Sequence, residues 1–303
     1  MKPLIIINPA AGNSQTEFNW LKVKEILDQN KFEYDHVFTE YPKHASEIAK
    51  KEVASGRDAI IAIGGDGTYS EVVNGMMAAK QEGSTLKFGV IASGTGNDFI
   101  RSAKIPNDFE ENCRRIIDPH YVPIDVGMID FKEKGENKKY YFVNSVGMGF
   151  DAEVIERVQS GHKNGSGTIP FVKALLRVLP KYKPINVGIS IDDEKFIPYK
   201  IMTAVVANGA YFGGGMMIAP DADIRDSLFN VVDVTEMSKA RLLKIFPSIY
   251  KGTHVKQKEV VLNVAKKVVL NGPDFATIQA DGEVICHGPI TVTMVPGALQ
   301  MMF

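Results

Sequence analysis

The sequence contains few cysteines, no long apolar run and no excess of charge, and each shortage excludes a class of protein. Two cysteines among 303 residues, Cys113 and Cys286, cannot form a disulfide framework, so we expect two unpaired thiols in a reducing cytoplasm. The apolar runs fall well short of the ~18 residues that a membrane-spanning helix needs. The run Leu4–Ile7 is too short for a signal peptide. A formal net charge of -1 gives no overall basic field, so we expect no nucleic-acid partner.

Several familiar motifs are missing as well. The six histidines show no HExxH and no paired Cys/His spacing, so we expect no zinc site. The chain has no GxxxxGK[ST], which excludes a P-loop, and no GxGxxG, which excludes the usual dinucleotide fingerprint.

The first ~120 residues alternate between predicted strands and helices. The predicted strands are Leu4–Ile7, Tyr34–Phe38, Ala59–Ile63 and Phe88–Ile91, and the predicted helices are Thr16–Asp28, Ala45–Val53 and Thr68–Ala79. The strand at Ala59–Ile63 is entirely apolar, as expected when both of its faces are covered. This alternation predicts an α/β fold with a doubly wound parallel sheet, which binds ligands beyond the carboxyl ends of its strands.

From near Tyr121 the chain becomes rich in short, β-branched segments separated by turn signals, which predicts a mostly antiparallel second domain. These predicted strands are Tyr140–Val146, Ile185–Ile191, Ile201–Val206, Leu228–Val234, Glu259–Val264, Val268–Leu270 and Ile290–Val295, with helices near Ile169–Leu179 and Ser238–Tyr250. We therefore predict a nucleotide-binding domain over residues 1–122, to which residues 293–303 return, and a β-rich domain over residues 123–292.

Three glycine-containing loops follow predicted strands of the first domain. They read Asn8-Pro9-Ala10-Ala11-Gly12, Gly64-Gly65-Asp66-Gly67-Thr68 and Ser93-Gly94-Thr95-Gly96-Asn97-Asp98. Glycine lets a backbone approach phosphate closely, and successive N–H groups form an anion nest. Thr68 and Asn97 are expected helix N-caps, so two helix N-termini would also face the site. Asp66 and Asp98 could position Mg²⁺ or accept hydrogen bonds from a ribose or a water. The three loops together predict a nucleotide site.

These loops carry a family resemblance. Gly64–Thr68, followed by Glu71 and Asn74, resembles the ATP loop of the diacylglycerol kinase catalytic domain, whose superfamily includes sphingosine kinases, NAD kinases and phosphofructokinases. Ser93–Phe99 resembles the second signature of the lipid-kinase branch. Further matches in chain order are Gly149–Ala152, Asn208-Gly209, Gly213–Met216, Ala219-Pro220 and Ala280–Glu283. The resemblance covers nearly the whole chain and is closest to the bacterial soluble lipid kinases.

The resemblance implies that ATP lies in a cleft between the two domains. It implies phosphate contacts from two of the loops and further nucleotide contacts from other residues. The implied set is Asn8, Pro9, Ala10, Ala11, Gly12, Thr39, Gly64, Gly65, Gly67, Thr68, Glu71, Gly94, Thr95, Asn97 and Asp98. It implies Glu283, in the Asp-Gly-Glu turn, as the general base. Asp66 is the rival base, and we otherwise expect it to support Mg²⁺ and its water network.

The stretch Asp221–Leu228 resembles a loop that holds a structural Mg²⁺ in the bacterial members. The resemblance implies the Asp226 side chain and the carbonyl oxygens of Asp223 and Leu228 as ligands, all of them hard oxygen donors. Ser227 stands where the family usually has glycine. A solvated acidic loop without a metal is the alternative.

Residues 161–184 contain five cations and no acidic residue, with apolar residues between them. The cations are Lys163, Lys173, Arg177, Lys181 and Lys183. Such a segment lies on an anionic bilayer or packs as a surface helix. The family resemblance implies a cytoplasmic ATP-dependent lipid kinase that phosphorylates diacylglycerol, and the basic segment suits a position at the inner membrane surface. A kinase of another substrate, such as NAD, and a non-catalytic nucleotide-binding regulator are the alternatives, and monomer or homodimer stays open.

Overall fold

The computed structural model describes residues 2–94, 96–160 and 169–303. Its N-terminal part alternates strands and helices. In chain order these are β1 (Leu4–Ile7), α1 (Gln15–Gln29), β2 (Asp35–Phe38), α2 (His44–Ala54), β3 (Ala59–Gly64), α3 (Asp66–Ala79), β4 (Lys87–Ala92), α4 (Asp98–Ser102) and α5 (Phe109–Ile117). A short 3-10 helix, Ala11–Ser14, leads into α1.

The first four strands are parallel and lie in the order β4-β3-β1-β2. Alternate residues of β3 face two different cores. Ile60 and Ala62 pack in a core with residues of α2 and α3, whereas Ile61 and Ile63 pack in a core with residues of α1 and α5. Helices on both faces explain why the strand is wholly apolar, and the predicted doubly wound parallel sheet is confirmed.

The remaining elements are mostly strands, and every pair they form among themselves in the described residues is antiparallel. They are β5 (Tyr121–Glu133), β6 (Glu136–Phe142), β7 (Ser145–Gly149), α6 (Phe150–Ser160), α7 (Ile169–Val178), β8 (Ile185–Ile191), β9 (Ile197–Ala207), β10 (Phe229–Thr235), α8 (Lys239–Ile245), β11 (Val260–Ala265), β12 (Lys267–Asn271), β13 (Thr277–Ala280), β14 (Glu283–His287) and β15 (Ile290–Met302). The predicted antiparallel, β-rich part is confirmed.

The last strand joins the two parts. β15 pairs antiparallel with β5 and β12, and its end pairs in parallel with β4 through Gln300 and Met301. The C-terminal residues therefore extend the parallel sheet by one strand, and a single continuous sheet runs through the molecule.

Two local predictions, a single strand at Tyr140–Val146 and Thr68 as a helix N-cap, are wrong for identifiable reasons. The segment predicted as one strand at Tyr140–Val146 is two strands, because the Asp281 carboxylate accepts the backbone N–H groups of Val143, Asn144 and Ser145 at the break. The helical stretch predicted near Ser238–Tyr250 is confirmed, as an α-helix that ends at Ile245 and continues as a 3-10 helix, Phe246–Lys251, with a proline in its first turn. α3 begins at Asp66 with Gly65 as its N-cap, so Thr68 lies inside the helix and does not cap it.

Candidate active site

The three glycine loops meet at the carboxyl ends of β1, β3 and β4, where their backbones touch. A Cβ built on Gly94 would lie 2.6 Å from the Gly65 Cα, and one built on Gly12 would lie 2.0 Å from the Ser93 carbonyl oxygen. Gly12 also has a φ of +58°, which glycine adopts readily. Gly67 is different, because beyond its chain neighbours and its own helix backbone a Cβ there would meet no described atom within 4 Å. Its backbone faces open space that a phosphate could fill.

The first loop is fixed by Asn8. Its side-chain amide donates to Thr68 Oγ1 at 3.0 Å, and its Oδ1 accepts the Ala10 N–H at 3.0 Å. Thr68 is also packed against Gly64, where a Cβ would lie 2.4 Å from Thr68 Oγ1. Ala10 is exposed and Pro9, which lies between these contacts, is half-buried, while Ala11 begins the 3-10 helix. Asn8 thus ties the loop after β1 to the first turn of α3.

Asp66 holds the third loop in place. Its Oδ1 accepts the Phe99 N–H at 2.9 Å and its Oδ2 accepts the Asp98 N–H at 3.1 Å. Burial raises the pKa of Asp66, against the lowering effect of these hydrogen bonds. Both of its oxygens are engaged by backbone, so the carboxylate acts here as an organiser of the loop that begins α4.

Asp98 connects the N-terminal part to the glycine-rich loop after β9. Its two oxygens accept the N–H groups of Gly214 and Gly215, each at 2.7 Å. Burial, and then the charge of Asp66, raise the pKa of Asp98 to about 7. Neighbouring Asn97 is buried with a φ of +55°, makes no side-chain capping bond, and leaves its Oδ1 without a partner among the described residues. An unsatisfied buried oxygen at this loop fits a hydrogen-bond donor on a bound nucleotide.

Two other predicted nucleotide contacts serve local structure. Glu71 accepts the N–H groups of Lys43 and Ala45 at 3.0 and 3.3 Å, at the start of α2. Burial raises the pKa of Glu71, opposed by these bonds, and the charge of Glu283 raises it further. Thr39 follows β2, and its N–H donates to the Ile7 carbonyl oxygen at 2.8 Å, beside the first loop. Thr95 lies outside the described residues.

A tight turn, Asp281-Gly282, joins β13 and β14, and Glu283 is the first residue of β14. Asp281 and Gly282 have φ values of +48° and +84°, as a two-residue type I′ turn requires. Asp281 accepts three backbone N–H groups at 2.9 to 3.1 Å, and burial raises its pKa to about 6. Glu283 is partly exposed and lines the cavity described below. Glu283 thus lines the same cavity as Gly12 and Gly67, although it belongs to the β-rich part of the molecule.

A cavity of about 620 Å³ extends from the glycine loops into the β-rich part. One region is lined by Gly12, Asp66, Gly67, Asp98, Asp281 and Glu283. The other is apolar, with walls from α6, α7, α8 and the 3-10 helix after α8, among them Phe150, Val154, Leu175, Leu242, Phe246 and Ile249. A single cavity therefore joins a polar region beside the glycine loops to a hydrophobic one.

Asp151 lines the same cavity, and the sequence reasoning gave it no role. Its Oδ1 accepts the Thr203 hydroxyl and its Oδ2 accepts the Gln279 amide at 3.0 Å, and burial raises its pKa. The sequence did contain a signal for Asp151, because this residue lies within Gly149–Ala152, one of the motifs that resemble the lipid-kinase branch.

The predicted metal loop lies apart from this cavity. Asp226 Oδ1 accepts the Leu228 N–H at 2.9 Å, and the Asp223 carboxylate is paired with Arg225 at 2.8 Å. Burial, then Asp223 and Asp125, raise the pKa of Asp226, a repulsion that a cation would relieve. Ser227 has a φ of +63°, the left-handed conformation that glycine favours.

Across residues 2–94, 96–160 and 169–303, no group of three or more His, Cys, Asp or Glu side chains could hold a metal. The predicted ligand set needs one side chain and two carbonyl oxygens, so it stays a prediction.

Comparisons with known proteins agree with this architecture. Residues 2–129 match the model of the diacylglycerol kinase catalytic domain, and residues 144–303 match the YegS C-terminal NAD kinase beta sandwich-like domain. The fold is similar to that of a diacylglycerol kinase from Bacillus anthracis, with a TM-score of 0.72 and 21% identity over 100% of this chain and 96% of that one. It is less similar to an Archaeoglobus fulgidus NAD kinase in complex with ATP, with a TM-score of 0.53 and 13% identity over 100% and 94% of the two chains. The fold is thus the one that diacylglycerol kinases share with NAD kinases.

Proteins related in sequence indicate a more specific family than the fold does. The chain is 30% identical over 259 residues to a diacylglycerol kinase of Mycobacterium tuberculosis, covering 85% of this chain and 81% of that protein. It is 29% identical over 280 residues to a diacylglycerol kinase of Bacillus subtilis, covering 92% and 88%. The chain belongs to the diacylglycerol kinase catalytic-domain family and is a lipid kinase.

Proposed function

We propose that this lipid kinase transfers the γ-phosphoryl group of ATP to the hydroxyl of diacylglycerol, giving phosphatidic acid. The observation that carries the proposal is the cavity that joins the glycine loops to an apolar region. Backbone N–H groups near Gly67 suit phosphates, whereas Phe150, Leu175 and Phe246 suit acyl chains. A soluble acceptor such as NAD would have no use for that apolar region.

In the reaction, the lipid hydroxyl oxygen attacks the γ-phosphorus and forms a new O–P bond. The bond to the bridging oxygen breaks, and its electron pair leaves with ADP. The hydroxyl proton passes to Glu283, whose carboxylate lines the cavity. Mg²⁺ bound with the nucleotide would neutralise phosphate charge. Glu283 suits the role of base better than Asp66, because both Asp66 oxygens accept backbone N–H groups.

The proposal includes docking on an anionic membrane at the cytoplasmic face. Among the described residues, no helix is both long enough and apolar enough to span a bilayer. Around the apolar region, Val172 and Leu176 of α7 and Leu243 of α8 are exposed, and α7 carries Lys173 and Arg177. Exposed apolar side chains among cations are typical of helices that lie on anionic lipid. Lys163 lies outside the described residues.

A labelled-ATP assay over a panel of lipids in mixed vesicles tests this function. Phosphate should appear on diacylglycerol in preference to sphingosine, ceramide and NAD. Transfer to another lipid alcohol would mean that the protein is a lipid kinase with a different substrate. Transfer to NAD without vesicles would favour the soluble-substrate alternative. If no acceptor is labelled, a nucleotide-binding regulator becomes the better reading.

A further inference from the structure

A second cavity, of about 630 Å³, lies between the β8–β9 hairpin and the strands β10 and β11. Among the residues that the structure describes, none lines both this cavity and the first one. Its lining includes the apolar residues Ile189 and Ile197, and the side chain of Ile197 is about half exposed. The proposed phosphoryl transfer does not use this cavity.

Asp233 of β10 is the unusual member of the lining. Its exposed fraction is 0%, and neither carboxylate oxygen has a hydrogen-bond partner in the described part of the chain. Side chains alternate along a strand, so Asp233 shares its face with Val231, which packs in the same core as Ile189. Ile189 lines the cavity, and Asp233 therefore points towards it. Buried polar atoms nearly always have a partner, so this carboxyl group calls for a ligand that donates hydrogen bonds.

The charged residues that line the cavity indicate whether that ligand is a cation or an anion. Besides Asp233, the lining contains three acidic residues, Asp192, Glu194 and Asp221, and one cation, Lys195. Burial raises the pKa of Asp233 to about 7. An anion would meet repulsion. A metal ion is disfavoured too, since the described residues contain no group of three or more metal-ligating side chains. An organic cation fits both the acids and the apolar walls.

We propose that this cavity binds a protonated primary amine with an apolar body, its ammonium group on Asp233 and its body against Ile189 and Ile197. An ammonium group has three N–H donors, enough for both Asp233 oxygens and one further acceptor such as Asn263 Oδ1. The next residue of β10, Val234, lines the first cavity, so the two cavities lie on opposite faces of one strand.

Calorimetry at pH 8 with 2-phenylethylamine tests the proposal, with 2-phenylethanol as the neutral probe of nearly equal shape. The full chain should bind the amine saturably and at least tenfold more tightly than the alcohol. Asp233→Asn keeps the shape of the side chain but cannot ionise, and it should abolish that difference. Asp193→Asn is the matched control, because Asp193 is a nearby exposed acid that pairs with Lys267 and lies outside the lining. It should bind as the parent does.

Methyl NMR on the parent chain keeps the test independent of how Asp233→Asn folds. The amine should shift the signals of Ile189 and Ile197. If it shifts Ile155 and Ile245 instead, it occupies the first cavity and the proposal is wrong. Equal affinity for amine and alcohol, no binding of either, or parental binding by a folded Asp233→Asn variant would each overturn it. None of these outcomes bears on lipid phosphorylation, which the vesicle assay measures separately.

Discussion

Gly65 and Gly94 touch backbone to backbone, so that a Cβ on Gly94 would lie 2.6 Å from the Gly65 Cα. The contact joins the loops after β3 and β4 and leaves no room for a side chain between them. Glycine is therefore required at Gly94 by the protein's own packing, whatever ligand binds, and a Cβ on Gly65 would be tightly placed, 3.2 Å from the Gly94 Cα. Gly67, two residues along the chain, has open space where its Cβ would be, and only a ligand would restrict it.

We predict that Gly67→Val weakens ATP binding at least tenfold while changing the melting temperature little. The valine Cβ would lie in open space that the phosphates need. Gly65→Val should instead destabilise the fold by roughly 1–3 kcal/mol, because overpacking forces the two loops apart. Calorimetry with a non-hydrolysable ATP analogue and thermal melts measure both effects. Unchanged affinity in a folded Gly67→Val variant would mean that the nucleotide lies elsewhere.

We predict that Glu283→Gln lowers kcat by about 10²-fold or more and leaves ATP affinity nearly unchanged. Glutamine preserves size but cannot accept the proton, and the phosphates are held by other residues. A fall in kcat with steady KM marks an interaction that forms only in the transition state. Asp66→Asn is the comparison, since it disturbs the loop at Asp98 and Phe99 and should weaken ATP binding. The reverse pattern, with an active Glu283→Gln and an inactive Asp66→Asn that still binds ATP, would make Asp66 the base.

We predict that Asp233 makes the protein less stable as pH rises from about 4 to 7. Burial raises its folded pKa to about 7, whereas the unfolded carboxyl titrates near 3.9. Between these values the folded state holds a proton that the unfolded state has lost, so stability falls with increasing pH and levels off above 7. The full effect is at most about 4 kcal/mol. Asp233→Asn should flatten this part of the profile in denaturant unfolding at pH 5 and pH 8, and an unchanged slope would contradict the assignment.

We predict that α7 attracts the protein to anionic vesicles. Lys173→Glu combined with Arg177→Glu should lower binding at low salt by at least tenfold, since each cation near the surface contributes about 1 kcal/mol. Lys50→Glu with Lys51→Glu on α2 is a control with the same change in charge. Vesicle sedimentation at increasing salt measures the effect, which should weaken as the field is screened. Equal binding to neutral and anionic vesicles would exclude the electrostatic part.

We predict that Asp226→Asn lowers activity or melting temperature in a way that depends on Mg²⁺ concentration. Asparagine still accepts the Leu228 N–H, so the variant removes the charge and keeps the hydrogen bond. Ser227→Gly tests the backbone alone, and it should stabilise the protein by up to about 1 kcal/mol because Ser227 has a positive φ. If Asp226→Asn behaves as the parent throughout a Mg²⁺ titration, the loop binds no structural metal.

The sequence by itself determined the fold class and the position of the three glycine loops. Apolar β3 and the strand–helix alternation fix a parallel sheet, and its geometry brings the carboxyl ends of β1, β3 and β4 together. The hairpin at Asp281-Gly282 followed equally directly, because few residue pairs adopt two positive φ values. These features depend on local pattern, which a sequence contains.

Only the tertiary structure decided what the acidic residues do. Asp66, Asp98 and Asp281 looked alike in sequence, yet each accepts backbone N–H groups from a different segment, up to 138 residues away. The break between β6 and β7 and the unpartnered carboxyl of Asp233 also depend on chain segments that are distant in sequence. Burial and hydrogen-bond partners arise only when such segments pack together, and no local pattern specifies which backbone groups will meet a given carboxylate.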